Sequence, residues 1–351
     1  MQTEDLILDE IIGQGVFGVI YSYLGKYAVK VEKPKDQRVG KLKEEAEFLE
    51  KCEGEGIPKV YKVASQEGNQ SMVMELVGEN LNKKFNQAGQ VFSYNTVALI
   101  GLQMIDRLEH IHSRGVIHRD LKPSNICIGL EDKSKLYLID FGLSVNLSKN
   151  KFGYQNKRKA RGFDGNFFFG SAEAQLDNII SKKSDYESLT YIMLLFLKQS
   201  LPWDELCKEG RKNNELIAKM KNDDVIEKLC DGLPDEFREF VFYIRNLEPD
   251  YSPNCKHLKT LLLKSMGLDS LKPWLPKFEW DEESKRLSAR KSTKRSVRTK
   301  GTAKALSMKK LSYKTCTSTT TKKSSFNKRE AKLSCKVHEE NLIPEGLFEC
   351  L

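Results

Sequence analysis

The chain is short of the features that would tie it to an oxidising compartment, a metal scaffold or a bilayer. Of its 351 residues eight are cysteine, at positions 52, 127, 207, 230, 255, 316, 335 and 350, and none forms a C-x-x-C pair or paired zinc-ligand spacing. Neither a disulfide framework nor a structural zinc site is expected. The longest apolar run, Tyr191–Leu197, is far too short to cross a membrane, so no transmembrane segment is expected. The first residues, Met1-Gln2-Thr3-Glu4-Asp5, are acidic and carry no apolar stretch, so no secretory leader is expected. Cys350 is second from the end, which is the wrong place for prenylation. These absences make a cytoplasmic protein with reduced thiols the expectation.

Charge is present but unevenly placed. The chain carries a net +9, yet residues 284–351 hold 18 Lys and Arg against 5 Asp and Glu, and residues 1–283 carry a slight acidic excess. The same tail contains 18 Ser or Thr and only Tyr313, Phe326 and Phe348 as aromatics. Interleaved aromatics for base stacking are missing, so specific nucleic-acid recognition is not expected. The composition predicts a disordered basic tail over 284–351, after a linker at 271–283. Such a tail can bind anionic surfaces, or fold back on the rest of the chain as an autophosphorylation target. The basic run Arg290–Arg298 adds the nucleus as a second expected location.

Periodicity divides the remainder in two. Leu6–Leu8, Val19–Tyr21, Tyr27–Val29, Val60–Val63 and Ser71–Leu76 read as short strands. Between them Lys41–Lys51 reads as a helix, with Leu42, Ala46 and Leu49 at helical spacing and a stop at Gly54 and Gly56-Ile57-Pro58. From Ser93 the apolar period becomes helical through Val97, Ile100, Met104, Leu108 and Ile111, and helical patterns recur at 185–197, 214–221, 235–246 and 254–265. A β-rich lobe followed by a helical lobe places the junction at 77–82, and the crevice there is where a ligand is expected.

The chemistry-bearing run is His118-Arg119-Asp120-Leu121-Lys122-Pro123-Ser124-Asn125, followed by Asp140-Phe141-Gly142. It fits phosphoryl transfer from a metal-bound nucleoside triphosphate, a reaction that needs positioning, positive charge on the phosphates and a carboxylate to take a hydroxyl proton. Asp120 is the candidate carboxylate. Lys122 neutralises charge on the moving group. Asn125 and Asp140 supply the hard oxygen ligands that Mg2+ prefers. His118 is apolar-flanked and reads as a packed core histidine rather than a base. Gly13-Gln14-Gly15-Val16-Phe17-Gly18-Val19 is a glycine loop, and glycines let backbone amides approach phosphate oxygens. A strand, not a helix, follows Gly18, which argues against a dinucleotide fingerprint. Lys30 on that strand can hold the α- and β-phosphates and be held in turn by a helix glutamate. Glu44 is the chosen partner, with Glu45 and Glu47 as competitors.

With these motifs in order, the chain resembles the eukaryotic protein kinases. Gly56-Ile57-Pro58, Met72–Gly78, Ile111-His112-Ser113, Ser184–Leu189 and Ser200-Leu201-Pro202-Trp203 point to the casein kinase 1 group. The likeness runs from about residue 5 to 270. It implies an α+β, bilobal kinase fold with an N-lobe at 5–76, a hinge at 77–82 and a C-lobe at 83–270. It implies ATP and Mg2+ as cofactors and protein substrates as partners, with a monomer expected. By resemblance Glu75 and Val77 offer hinge backbone groups to adenine, Met74 is the gatekeeper, Cys127 and Ile139 join Gly13, Gly15, Gly18 and Lys30 around the nucleotide, and Asp185 anchors the catalytic loop.

The departures fall together. Where the family reads G-T-A-R-Y-A-S-I-N, this chain has Gly165-Asn166-Phe167-Phe168-Phe169-Gly170-Ser171-Ala172-Glu173. Phe168 replaces an arginine that binds phosphate on primed substrates, and Asn214 is read as replacing a lysine of the same pocket, beside Arg211 and Lys212. Loss of a guanidinium removes bidentate phosphate contacts, so weak dependence on primed substrates is expected. Asn166 replaces a threonine that hydrogen-bonds near the catalytic Asp and Lys, which keeps an impaired, scaffold-type kinase fold as the alternative. The basic insert Lys157–Arg161 borders the groove and suits acidic substrates.

Overall fold

The computed structural model describes residues 8–14, 18–32, 41–66, 69–147, 154–155, 163–177, 179–268 and 277–281. Gly15, the insert Lys157–Arg161 and the tail 284–351 lie outside the described residues.

The N-lobe is an antiparallel sheet of five strands, β1 (Ile11–Gln14), β2 (Gly18–Tyr23), β3 (Tyr27–Glu32), β4 (Val60–Gln66) and β5 (Asn69–Glu75), in the order β1-β2-β3-β5-β4. One helix, α1 (Lys41–Lys51), crosses it. The strand expected at Leu6–Leu8 lies largely outside the described residues, which begin at Leu8. Pairing with β2 starts where Asp9 N–H donates to Ser22 O, and a bulge between Ile11 and Gly13 precedes the glycine loop. The two-residue period of β3 does the sorting. Val29 packs with Val73 in a small outer cluster with Tyr27, Val31 and Tyr61. Ala28 and Lys30 turn the other way, toward α1, whose Leu42, Ala46 and Leu49 are buried on the main core. Each such large apolar side chain is worth about 1.5–3 kcal/mol when removed from water.

A short helix, a long one and a run of small ladders begin the C-lobe. They are α2 (Leu81–Gln87), α3 (Tyr94–Ser113), β6 (Val116–Ile117), β7 (Ile126–Ile128), β8 (Leu136–Leu138) and β9 (Val145–Asn146). Ser93 caps α3, its Oγ accepting from Thr96 N–H. Then come β10 (Tyr154–Gln155), α4 (Ala172–Asp177), β11 (Ile179–Ile180), α5 (Lys182–Lys198), α6 (Asp204–Lys208), α7 (Asn214–Met220), α8 (Asp223–Cys230), α9 (Asp235–Arg245) and α10 (Cys255–Ser265). Helix α5 runs through the middle of the lobe and is buried almost all round, which its apolar run Tyr191–Phe196 allows. No helix among the described residues is long and apolar enough to cross a membrane.

Two expected boundaries move. Helix α2 begins at Leu81, with Asn80 as its cap, so the stretch between β5 and α2 is 76–80 and the last two residues expected in the hinge, 81–82, are helical. The stretch placed in a linker at 271–283 is in part C-lobe: Phe278 and Trp280 are buried, stack at 4.4 Å, and Trp280 packs edge-on to Phe92. Trp280 Nε1 donates to Lys133 O at 2.9 Å, and Glu279 accepts from Ser93 N–H. Two aromatics bury too much apolar area to be left on a free connector.

Candidate active site

Lys30 is buried and aimed at α1, and its partner is Glu45, not Glu44. Lys30 Nζ donates to Glu45 Oε1 at 2.7 Å and Oε2 at 2.6 Å, and lies 3.3 Å from Asp140 Oδ1. Glu45 shares the sheet-facing stripe with Leu42, Ala46 and Leu49. Glu44 lies off that stripe, exposed, and pairs with Lys41 one turn away. The apolar spacing of 42, 46 and 49 was the signal that selects Glu45, because a position three after Leu42 and four before Leu49 falls in the stripe. Burial pulls the Lys30 ammonium down, but Asp140 and Glu45 outweigh it and hold its pKa above the ordinary lysine value. Burial pushes the Glu45 carboxyl up, against the pull of Lys30. For Asp140 burial also pushes up, but Lys30, Lys122 and His118 win and keep it below the usual carboxylate value.

Asp120 sits on a loop whose backbone is held by one buried carboxylate. Asp185 of α5 accepts His118 N–H at 2.8 Å and Arg119 N–H at 2.9 Å, and bonds His112 Nε2 at 2.8 Å. Arg119 takes φ +69, and its guanidinium donates to Leu143 O and Asp164 O, tying the loop to the segments on either side of 148–162. His118 is fully buried, accepts Asp120 N–H at Nδ1, pairs with Ile139 O through Nε2 and lies edge-on to Phe141. Both ring nitrogens are occupied, as a packed histidine requires.

Asp120 Oδ2 receives Lys122 Nζ at 2.5 Å and Asn125 Nδ2 at 3.2 Å, while its Oδ1 accepts nothing from the described residues. Burial raises the Asp120 pKa, with Lys122 opposing, which makes it a better proton acceptor than a free aspartate. Asn125 also donates Nδ2 to Asp120 O at 2.9 Å, so both its N–H groups point back at the loop and its Oδ1 is the atom left for a cation. Asn125 Oδ1 and the Asp140 carboxylate form an all-oxygen donor set, which fits Mg2+.

The nucleotide side of the crevice follows the same pattern. A Cβ on Gly18 would lie 2.3 Å from Val31 O, so this glycine is required by the approach of β2 to β3 as well as by any phosphate. Gly13 pairs with Ile20, and a Cβ there would make ordinary contact with that side chain. Met74, next to last in β5, pairs with Ala28. Glu75 is held by Tyr137, whose hydroxyl donates to Glu75 Oε1 at 2.7 Å across the lobes. Gly78 N–H goes to Ile128 O, while the backbone groups of Val77 have no partner among the described residues. Cys127, on β7 beside Asn80, is buried, and burial pushes its thiol up to about 12, so it is an unreactive wall. Ile139 N–H donates to Asn125 O, setting Asp140 beside the loop.

The segment after the basic insert is built differently from expectation. Asn166 Oδ1 accepts from Phe168 N–H at 2.9 Å and Phe169 N–H at 3.1 Å, closing its own turn. The Phe168 ring packs on Phe169 and Trp203, and Trp203 Nε1 donates to Phe168 O at 2.9 Å. Asn214 exchanges hydrogen bonds with Gln175. Lys212 pairs with Glu209 on the surface. The lysine of this region is Lys221, which was not singled out from the sequence. It is buried, and Nζ donates to Phe167 O at 2.9 Å, Gly170 O at 2.6 Å and Gln175 Oε1 at 2.8 Å. Its place four residues after buried Ile217, on the inner face at the end of α7, was the available sign.

A five-stranded lobe with a buried lysine–glutamate pair, joined by a short hinge to a helical lobe bearing Asp120, Asn125 and Asp140, defines a protein kinase. Residues 6–265 match the protein kinase domain family. The chain is 32% identical over 284 residues to a probable casein kinase I homolog of Encephalitozoon cuniculi, covering 77% of this chain and 93% of that one. It is 31% identical over 264 residues to casein kinase I homolog 2 of Schizosaccharomyces pombe, covering 71% of this chain and 60% of that protein. The chain belongs to the casein kinase I family of protein kinases. Membership implies ATP, ordinarily with Mg2+.

Proposed function

We propose that the chain is an active, non-specific serine/threonine protein kinase that moves the γ-phosphoryl group of ATP onto Ser or Thr of acidic proteins, with little need for phosphate already on the substrate. Asp120 takes the hydroxyl proton at Oδ1. Lys122 sits on the same carboxylate and meets the charge of the transferring group. Lys30, held by Glu45, holds the α- and β-phosphates, and Gly13, Gly15 and Gly18 keep the loop above them. Asn125 Oδ1 and Asp140 would hold Mg2+, which when bound supplies the positive charge that phosphoryl transfer needs. Met74, the backbone groups of Glu75 and Val77, Cys127 and Ile139 surround the base.

The observation that carries this reading is the completeness of the charge constellation: Lys30, Glu45 and Asp140 in contact, and Asp120 with Lys122 and Asn125 on one carboxylate. Weak priming dependence rests on Phe168, whose ring occupies apolar neighbours where a guanidinium would face phosphate. The preference for acidic substrates rests on the basic run at 157–161 of the sequence. The impaired-scaffold alternative draws on Asn166, whose Oδ1 serves its own turn and not Asp120 or Lys122.

The test is label transfer from ATP and Mg2+ to casein and to a peptide with and without a priming phosphate, beside Asp140→Ala. Label on casein and on both peptides, lost in Asp140→Ala, is expected. Equal label in wild type and variant would refute catalysis. Strong preference for the primed peptide would refute the reading of Phe168.

A further inference from the structure

Lys221 is a charged side chain, 1% exposed, bonded into the segment 167–175. Residues 166–175 run beside the catalytic loop: a Cβ on Gly165 would lie 3.1 Å from Arg119 O, and Arg119 donates to Asp164 O. The start of this segment therefore lies against the loop that carries Asp120. Three of its carbonyls are drawn inward, Phe167 O and Gly170 O by Lys221 and Phe168 O by Trp203. Gln175, the third acceptor of Lys221, also donates to Phe167 O at 2.9 Å. Three acceptors need three N–H groups, which the ammonium has and the neutral amine lacks. The rings of Tyr191 and Trp203 lie 5.1 and 5.3 Å from Nζ and add to the hold on a cation.

We propose that Lys221 is a positioning residue for the protein substrate: its ammonium sets the shape of residues 166–175, and the segment loosens its grip on substrate when that charge is removed. The inference rests on the kinase reading above. The groups facing Lys221 are Glu187 and Tyr191 from α5, Cys207 from α6, and Arg245 from α9, which donates to Lys221 O and pairs with Asp223 of α8. Burial pulls the ammonium down to about 7, against the pull of Glu187. Loss of the proton as pH rises leaves two N–H groups for the three oxygens, so that either Phe167 O is left to Gln175 Nε2 alone or one of Gly170 O and Gln175 Oε1 loses its donor.

The test follows peptide KM, ATP KM and kcat against pH. Wild-type peptide KM should rise on the alkaline side while ATP KM stays level. Lys221→Met should raise peptide KM roughly ten-fold and remove its pH dependence, the size expected for a charged hydrogen-bond set. Gln175→Glu places a carboxylate against the ammonium and should move the alkaline limb to higher pH. Hydrogen exchange over 166–171 should quicken in Lys221→Met at every pH. A Lys221→Met enzyme with wild-type peptide KM overturns the proposal, and so does a limb that Gln175→Glu leaves unmoved. If Lys221→Met does not fold, Gln175→Glu decides alone. If the wild type transfers no phosphate, the kinase reading falls by itself, and peptide Kd, measured in the same variants with the same expectations, decides the role of Lys221.

Discussion

Two neighbouring glutamates on α1 differ by one position and by an entire environment. Glu45 is buried against Lys30, whereas Glu44 faces water beside Lys41. Removing one partner of a buried pair leaves the other charge uncompensated, which costs about 3–5 kcal/mol. An exposed i,i+3 pair is worth about 0.3–0.5 kcal/mol. Glu45→Gln should therefore lower the thermal midpoint by several degrees and cut kcat/KM about 100-fold or more, because Lys30 would lean on Asp140 instead of on phosphate. Glu44→Gln should leave both within error. Melting curves and initial rates on the two variants check this, and equal effects would mean that Glu45 has no special hold on Lys30. At this scale the sequence was readable where chemistry is local: Asp120, Lys122 and Asn125 sit within six residues and meet on one carboxylate. Lys221 was not, because its partners lie 46 to 54 residues away and no local pattern announces them.

Length made most elements legible, and the seven-residue helix α7, expected at 214–221, is the short exception. Helices α1, α3, α9 and α10 hold enough turns for a period to show, and each was expected close to where it lies. Helices α2, α4, α6 and α8 hold five to eight residues, too few to be stable without tertiary contacts, and left no comparable mark. The segment 277–281 is the sharpest case. Its composition resembles a connector, yet Phe278 and Trp280 complete an aromatic group with Phe92, Phe85 and Phe196 under the hinge side of the C-lobe. Trp280→Ala removes a buried ring and its hydrogen bond to Lys133 O, a loss of about 3–5 kcal/mol. The variant should melt markedly lower, while Trp280→Phe, which keeps the stacking on Phe278, should recover most of the difference. Calorimetry on both would show it. Equal stability of wild type and Trp280→Ala would mean that 277–281 is a connector after all.

The whole chain joins an acidic-leaning kinase region to a basic tail, and the two should respond to salt differently. Residues 284–351 hold 18 basic and 5 acidic side chains. Binding to a polyanion through such a tail releases counterions, so affinity should fall steeply and linearly on a log–log plot against salt. The kinase region has its own basic run at Lys157–Arg161, and that run is shorter by far. Deletion after residue 283 keeps Trp280 and should leave kcat on a short peptide unchanged while removing most heparin retention and most of its salt slope. Neutralising Lys157, Arg158, Lys159 and Arg161 to Gln should do the reverse: heparin retention nearly intact, and a higher KM for an acidic peptide that converges on wild type as salt screens the attraction. Heparin chromatography and peptide kinetics on the two variants separate the roles. A tail deletion that keeps full heparin retention would assign the anion site to the insert, and an insert variant with unchanged peptide KM would leave acidic substrates without a physical basis in this chain.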